Sequence, residues 1–164
     1  MTTKADFSQE EWDRLLEAPL AVSLLVSTSD PNVFDAVKES LASARAIAVA
    51  AKSTTASELL HALTADLQHR DTAKEARPEL SSKDPVAVRR DLLAHIGGAS
   101  SALQQKASPE EADEIRRWLY QVGVDVAEAA KEGGVFGIGG TRVSDAEKQA
   151  LADLALALGI TPPS

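Results

Sequence analysis

SPEEADEIRRWLYQVGVDVAEAAKE, from Ser108 to Glu132, places Ala112, Ile115, Leu119, Val122, Val126 and Ala129 at spacings of three and four. At about 3.6 residues per turn these positions share one face of an α-helix, and most of the charged residues fall on the others. Ser108 stands three residues before Glu111, a pair that can satisfy the free N–H groups of a first turn from both directions. Pro109 suits the first helical position, where its missing N–H costs nothing.

The same start signal recurs on both sides of this stretch. Ser8 with Glu11, Thr55 with Glu58 and Ser144 with Glu147 make three more capping boxes, and Asp30-Pro31 and Asp84-Pro85 suit an N-cap followed by proline. Six starts predict about six helices, over Gln9 to Thr28, Pro31 to Lys52, Ala56 to Arg70, Pro85 to Gln105, Pro109 to Lys131 and Asp145 to Leu158. The first turns Trp12, Leu15, Leu16, Leu20 and the run from Val22 to Val26 inward, with Pro19 as a kink or a division. That run alone would also read as a buried strand, but no second strand exists to pair with it.

The second helix carries Phe34, Val37, Leu41, Ala44 and Ala48 on one face, and its small Ala and Ser side chains mark it as the expected centre of the bundle. The third buries Leu59, Leu60, Leu63 and Leu67, and the polar stretch Asp71 to Lys83, with Pro78, reads as a frayed helix end and a linker loop. The fourth places Val88, Leu92, Ile96, Ala99 and Leu103 inward, with Gly97-Gly98 as a weak or close-contact point. The last ends at Gly159 before Ile160, the pattern of a left-handed glycine stop. The expected fold is all-α, a single-domain bundle over residues 1–164 with a Gly-rich loop between the last two helices.

Composition narrows the function classes. With 44% apolar and 26% charged residues the chain has the make-up of a folded domain, and the absence of cysteine removes disulfides, thiolate metal sites and cysteine nucleophiles. A net charge of −8, with Arg89-Arg90 and Arg116-Arg117 as the main basic pairs, argues against nucleic acid. The N-terminal residues lack a signal-peptide core, and the apolar stretch Ala18 to Val26 is too short to span a bilayer, so the expectation is a cytoplasmic protein without a membrane partner.

Few positions offer chemistry. Glu58 and His61 have the Glu-x-x-His spacing of bundle di-iron sites, but lie roughly 140–160° from the leucine face and point to solvent. Asp91 and His95, one turn apart, make a candidate carboxylate–imidazole pair for base catalysis, or else a surface hydrogen bond; no nucleophile accompanies them. Glu132 to Arg142 packs five glycines into a connection. It lacks the Gly-Lys-Ser/Thr ending of a P-loop, and Val135, Phe136 and Ile138 read as folding back over the bundle end. Beside it Asp125, Glu128 and Glu132 form an acidic stripe, either solvated or, at Asp125, partly buried and needing a partner such as the loop N–H groups, Arg142 or a divalent cation.

The last third of the chain resembles the TerB-like, tellurite-resistance-associated helical domains. The matching residues are Val126 to Gly133, then Val143 to Glu147, then Leu151, Leu154, Ala155, Leu158, Gly159 and Ile160, about 35 residues of 164. The chain departs from that pattern with Glu132 where Asp is usual and with the glycine insertion. The resemblance implies an all-helical bundle, a divalent-cation site at the acidic loop and a role in stress-linked assemblies. The whole chain also looks like bacterial helical proteins from which no function carries over.

Three functions follow as expectations. The first is a non-enzymatic scaffold or adaptor with a divalent-cation site at Asp125, Glu128, Glu132 and Glu147. The second is a helical pocket protein for a small apolar or anionic ligand, with Trp118, Tyr120, Phe136 and Arg142 at the site. The third is an enzyme using Asp91 and His95, and it ranks last. No cofactor other than the cation is expected, and Ala-rich faces suit a protein partner or a homodimer.

Overall fold

The computed structural model describes residues 1–29, 36–132 and 143–162, with side chains at all of them except 36–42, 70 and 130–132. Among the described residues there are seven α-helices and no strand: α1 (Gln9–Ser27), α2 (Ala36–Ala51), α3 (Glu58–Gln68), α4 (Arg70–Glu75), α5 (Pro85–Lys106), α6 (Pro109–Glu132) and α7 (Asp145–Leu158). A 3₁₀ turn, Lys4–Asp6, precedes them. Each of the six expected helices is present, and the frayed helix end expected from Asp71 onward is a short helix of its own, α4, ahead of the loop. His69, at φ −74° and ψ 123°, leaves the helical region for one residue, so it closes α3 and opens α4. The Asp30-Pro31 cap, Phe34 and the glycine loop Gly133 to Arg142 lie outside the described residues, as do the side chains of Val37, Leu41 and Glu132.

Capping sets most boundaries. The Ser8 N–H donates to Glu11 at 2.7 Å while the Glu11 N–H donates to Ser8 Oγ at 3.2 Å, and Ser144 with Glu147 repeats the exchange at 2.8 and 3.2 Å. Ser108 and Glu111 close in the same way, and Asp84 accepts the Ala87 N–H at 3.0 Å ahead of Pro85. The Thr55–Glu58 box does not form. Ser57 is the N-cap of α3, accepting the Leu60 N–H at 3.2 Å. Three residues on from Ser57 stands an apolar Leu60, so the carboxylate that receives the Ser57 N–H comes from α6 instead, Glu114 at 3.1 and 3.2 Å.

The centre of the bundle is α1, not α2. It packs against α2, α3, α5, α6 and α7, and beyond Leu15 it buries Leu16, Ala18, Pro19, Ala21, Val22, Leu25 and Val26 on nearly every side. The run that read equally as strand or helix is helix, and α1 continues through Pro19 without dividing. Side-chain area explains the exchange of places: Leu and Val remove far more apolar surface from water than the Ala and Ser of α2. On α2, Ala46 and Ala50 are buried while Ala44, expected to face inward, is exposed and Val49 is 64% exposed.

The other stripes hold, with Val88 of α5 and Ala129 of α6 only half-buried. Leu59, Leu60, Leu63 and Leu67 of α3, Leu92, Ile96, Ala99 and Leu103 of α5, and Ala112, Ile115, Leu119, Val122 and Val126 of α6 are buried. Gly159 takes φ +69° and the Ile160 N–H reaches the Ala155 carbonyl at 3.0 Å, which is the left-handed stop expected for α7. Among the described residues no helix is long and apolar enough to cross a membrane.

Candidate ligand cleft

Glu114, Trp118, Gln121, Asp125 and Glu128 follow one another on α6 at spacings of three and four, and so share a face. That face is adjacent to the buried stripe and runs alongside α2, where Arg45, Ala46, Val49, Ala50 and Ser53 share a face of their own. Between the two faces, closed at one end by Ala56 and by Leu60 of α3, lies an open cleft of about 670 Å³. This is the size of an ordinary small-molecule site, about 300–1,000 Å³.

Trp118 forms part of the wall, and its indole N–H is buried with no hydrogen-bond partner among the described residues. A buried donor left unsatisfied costs about 1–3 kcal/mol relative to one that is bonded. Among the described residues the carboxylates in the lining are Glu114, Asp125 and Glu128, and the one basic residue is Arg45. Glu114 is held by the Ser57 N–H and Asp125 by the Gln121 amide at 2.8 Å. These donors are neutral, and with one arginine against three carboxylates the described lining residues are net negative. Asp125 is half-buried, as its position beside Val122 suggested, and Glu128 is exposed.

The sequence-derived site residues are thus divided. Trp118, Asp125 and Glu128 come together in the cleft. Tyr120 is two residues from Trp118, about 200° around the helix, and packs against the core outside the cleft lining. Glu147 is 5% exposed and serves its own helix start by accepting the Ser144 N–H. Phe136, Arg142 and the Glu132 side chain lie outside the described residues. Among the described residues no three His, Asp or Glu side chains are placed to hold a metal ion, so Asp125, Glu128 and Glu147 do not form such a group by themselves.

The Asp91–His95 pair does not form. Asp91 accepts from the Ser81 N–H at 2.8 Å, the Ser81 hydroxyl at 2.6 Å and Arg90 at 2.9 Å. The Ser81 bonds and the Arg90 guanidinium hold its carboxyl down at about 2. His95 instead places Nδ1 3.2 Å from Glu17 of α1 and Nε2 3.1 Å from the Glu79 carbonyl. Their placement one turn apart could not reveal that each had a better partner on a different segment. On α3, Glu58 is exposed and His61 half-buried, away from the leucine face as expected.

Glu114 and Gln121 complete the helical repeat that contains Trp118 and Asp125, so spacing could have nominated them. Nothing in the sequence pairs α6 with the Arg45 face of α2. Compared with known proteins, the chain matches no family model, no curated protein and no solved structure.

Proposed function

We propose that the protein is a non-catalytic binding module whose cleft between α2, α3 and α6 holds a small organic cation. The observation that carries this reading is the make-up of the cleft of about 670 Å³, where Trp118 forms part of the wall and, among the described residues, three carboxylates line it with one arginine. The lining charge then selects the ligand class: carboxylates of Glu114, Asp125 and Glu128 outnumber Arg45, which favours an amine or guanidinium over an anionic ligand. Ala46, Val49, Ala50 and Leu60 offer the apolar surface for its body. A cysteine-free, acidic chain suits work in the cytoplasm.

A divalent cation is the competing occupant, motivated by the acidic stripe and by the TerB-like resemblance of the same helix. Its ligands would be Asp125 and Glu128, with Glu132 beyond them, and it makes no use of the apolar wall of the cleft.

The test follows the indole N–H resonance of Trp118 by NMR during titration with phenethylamine, with hexanoate and magnesium chloride as separate arms. Phenethylamine is expected to shift that resonance while the Trp12 indole stays still, and Glu128→Gln is expected to weaken the effect by about tenfold, the worth of a charged contact. No shift with the amine, or a shift equally produced by hexanoate, overturns the reading. A shift or a rise in melting temperature with magnesium alone transfers the site to the cation.

A further inference from the structure

His95 lies between two acceptors. Nδ1 faces a carboxylate oxygen of Glu17 at 3.2 Å and Nε2 faces the main-chain carbonyl of Glu79 at 3.1 Å. A neutral imidazole carries one N–H and can serve only one of them. Both contacts are satisfied together only when the Glu17–His95 pair keeps a shared proton, as imidazolium with carboxylate or as imidazole with carboxylic acid. Both side chains are largely covered, at 24% and 20% exposure.

Glu79 belongs to the segment from Ala76 to Asp84, which joins α4 to α5. Ala76 and Pro78 are buried, and Ser81 is tied to Asp91 through both its N–H and its hydroxyl. His95 is therefore one of the polar fastenings that hold this segment on α5, beside the Ser81 bonds to Asp91 and Arg90. We propose that the segment is a strap whose hold on the bundle depends on the proton shared by His95 and Glu17, and that it loosens as rising pH removes that proton. When the proton leaves, the remaining N–H stays with the stronger acceptor, the Glu17 carboxylate. The Nε2 lone pair then faces the Glu79 carbonyl, so the contact that fails is the one to the strap.

The surrounding charges agree with a retained proton. Acting on Glu17 beside His95 are the carboxylates of Asp13 on α1 and of Glu79 on the strap, and on α5 Asp91, paired with Arg90, stands one turn before His95. Burial raises the Glu17 carboxyl above its usual range, against the opposing pull of His95. Arg14 of α1 lies over Gly98, the Asp153 carboxylate of α7 is engaged with Arg89, and Arg116 of α6 is engaged with Ser100. Ala76, at the near end of the strap, also borders a second, mainly apolar cleft of about 560 Å³ that includes Leu16, Leu20 and Ile47, so release alters the rim of that cleft.

Hydrogen exchange tests the strap, with rates corrected for the intrinsic pH dependence. The Ser81 amide, bonded to Asp91 at 2.8 Å, is the reporter. Its protection is expected to fall by about fivefold as pH is raised and the pair gives up its proton, the worth of one net hydrogen bond. In His95→Gln it is expected to stay flat. An independent readout is the ¹⁵N spectrum of the His95 ring, with protons on both nitrogens, or one on Nε2 and one on Glu17, giving way to Nδ1–H alone as pH rises. Flat protection in the wild-type protein, the same fall in His95→Gln, or a ring that ends as Nε2–H would each overturn the proposal.

Discussion

Gly97 stands inside α5 with nothing within 4 Å of the place a Cβ would take. At Gly123, inside α6, a Cβ would meet Leu154 Cδ2 at 2.7 Å and both Leu151 Cδ2 and Val22 Cγ1 at 3.3 Å. In a helix interior, alanine is favoured over glycine by about 0.5–1 kcal/mol. Gly97→Ala is therefore expected to stabilise the protein by about that amount. Gly123→Ala must displace Leu154, fully buried where α1, α6 and α7 meet, and overpacking there costs about 1–3 kcal/mol. Urea unfolding of the two variants should move the midpoint in opposite directions; a stabilised Gly123→Ala would mean the three helices are less tightly set than these distances show. The sequence marked Gly97-Gly98 as the point of weakness or contact and passed over Gly123. Glycines look alike until the neighbour across the helix interface is known.

The start of α3 depends on a second helix. Ser57 supplies its side chain to the Leu60 N–H, but the return bond comes from Glu114 of α6. Glu114→Ala should accordingly behave as the loss of a helix cap, costing about 0.5–2 kcal/mol, and should raise exchange of the Ser57 amide even though Glu114 is more than fifty residues away. A variant with unchanged stability and an unchanged Ser57 amide would remove the cross-helix cap. The boxes at Ser8, Ser108 and Ser144 were legible because both partners sit three residues apart in one chain segment. At α3 the serine was legible and its acidic partner was not, and Thr55–Glu58 satisfied the same spacing without forming.

The bundle is held partly by carboxylates that must stay charged. Glu111 feels partial burial, which acts to raise its pKa, but bonds from Thr2 and Ser108 prevail and hold it at about 2. Asp66 likewise loses some hydration, yet Lys4 and the Trp12 indole, at 2.6 and 3.0 Å, leave its carboxyl lowered. Both groups bind protons more weakly folded than unfolded, so their contribution is complete above the ordinary carboxylate range and is lost as pH falls through it toward about 2. Glu17, raised by burial, works in the opposite sense: its contribution is present in acid and is lost as pH rises through its folded value. The melting temperature is expected to drop between about pH 4.5 and 2, and Glu111→Gln should lower it near neutrality while flattening that drop. Equal acid sensitivity in the variant would assign the loss to other groups.

Helix type, the limits of α1, α5, α6 and α7 and the inward stripes of α3, α5 and α6 were readable in the chain itself. They depend on spacings of three and four and on caps a few residues away, all of them local. The centre of the bundle, the cross-helix cap, the partners of Asp91 and His95 and the cleft at Trp118 were not. Each depends on which helix lies beside which, and that choice is made by the apolar area that the whole set of helices can remove from water. Sequence separation carries no record of it: Trp118 and Arg45 share a cleft, whereas Asp91 and His95, one turn apart, each bond elsewhere.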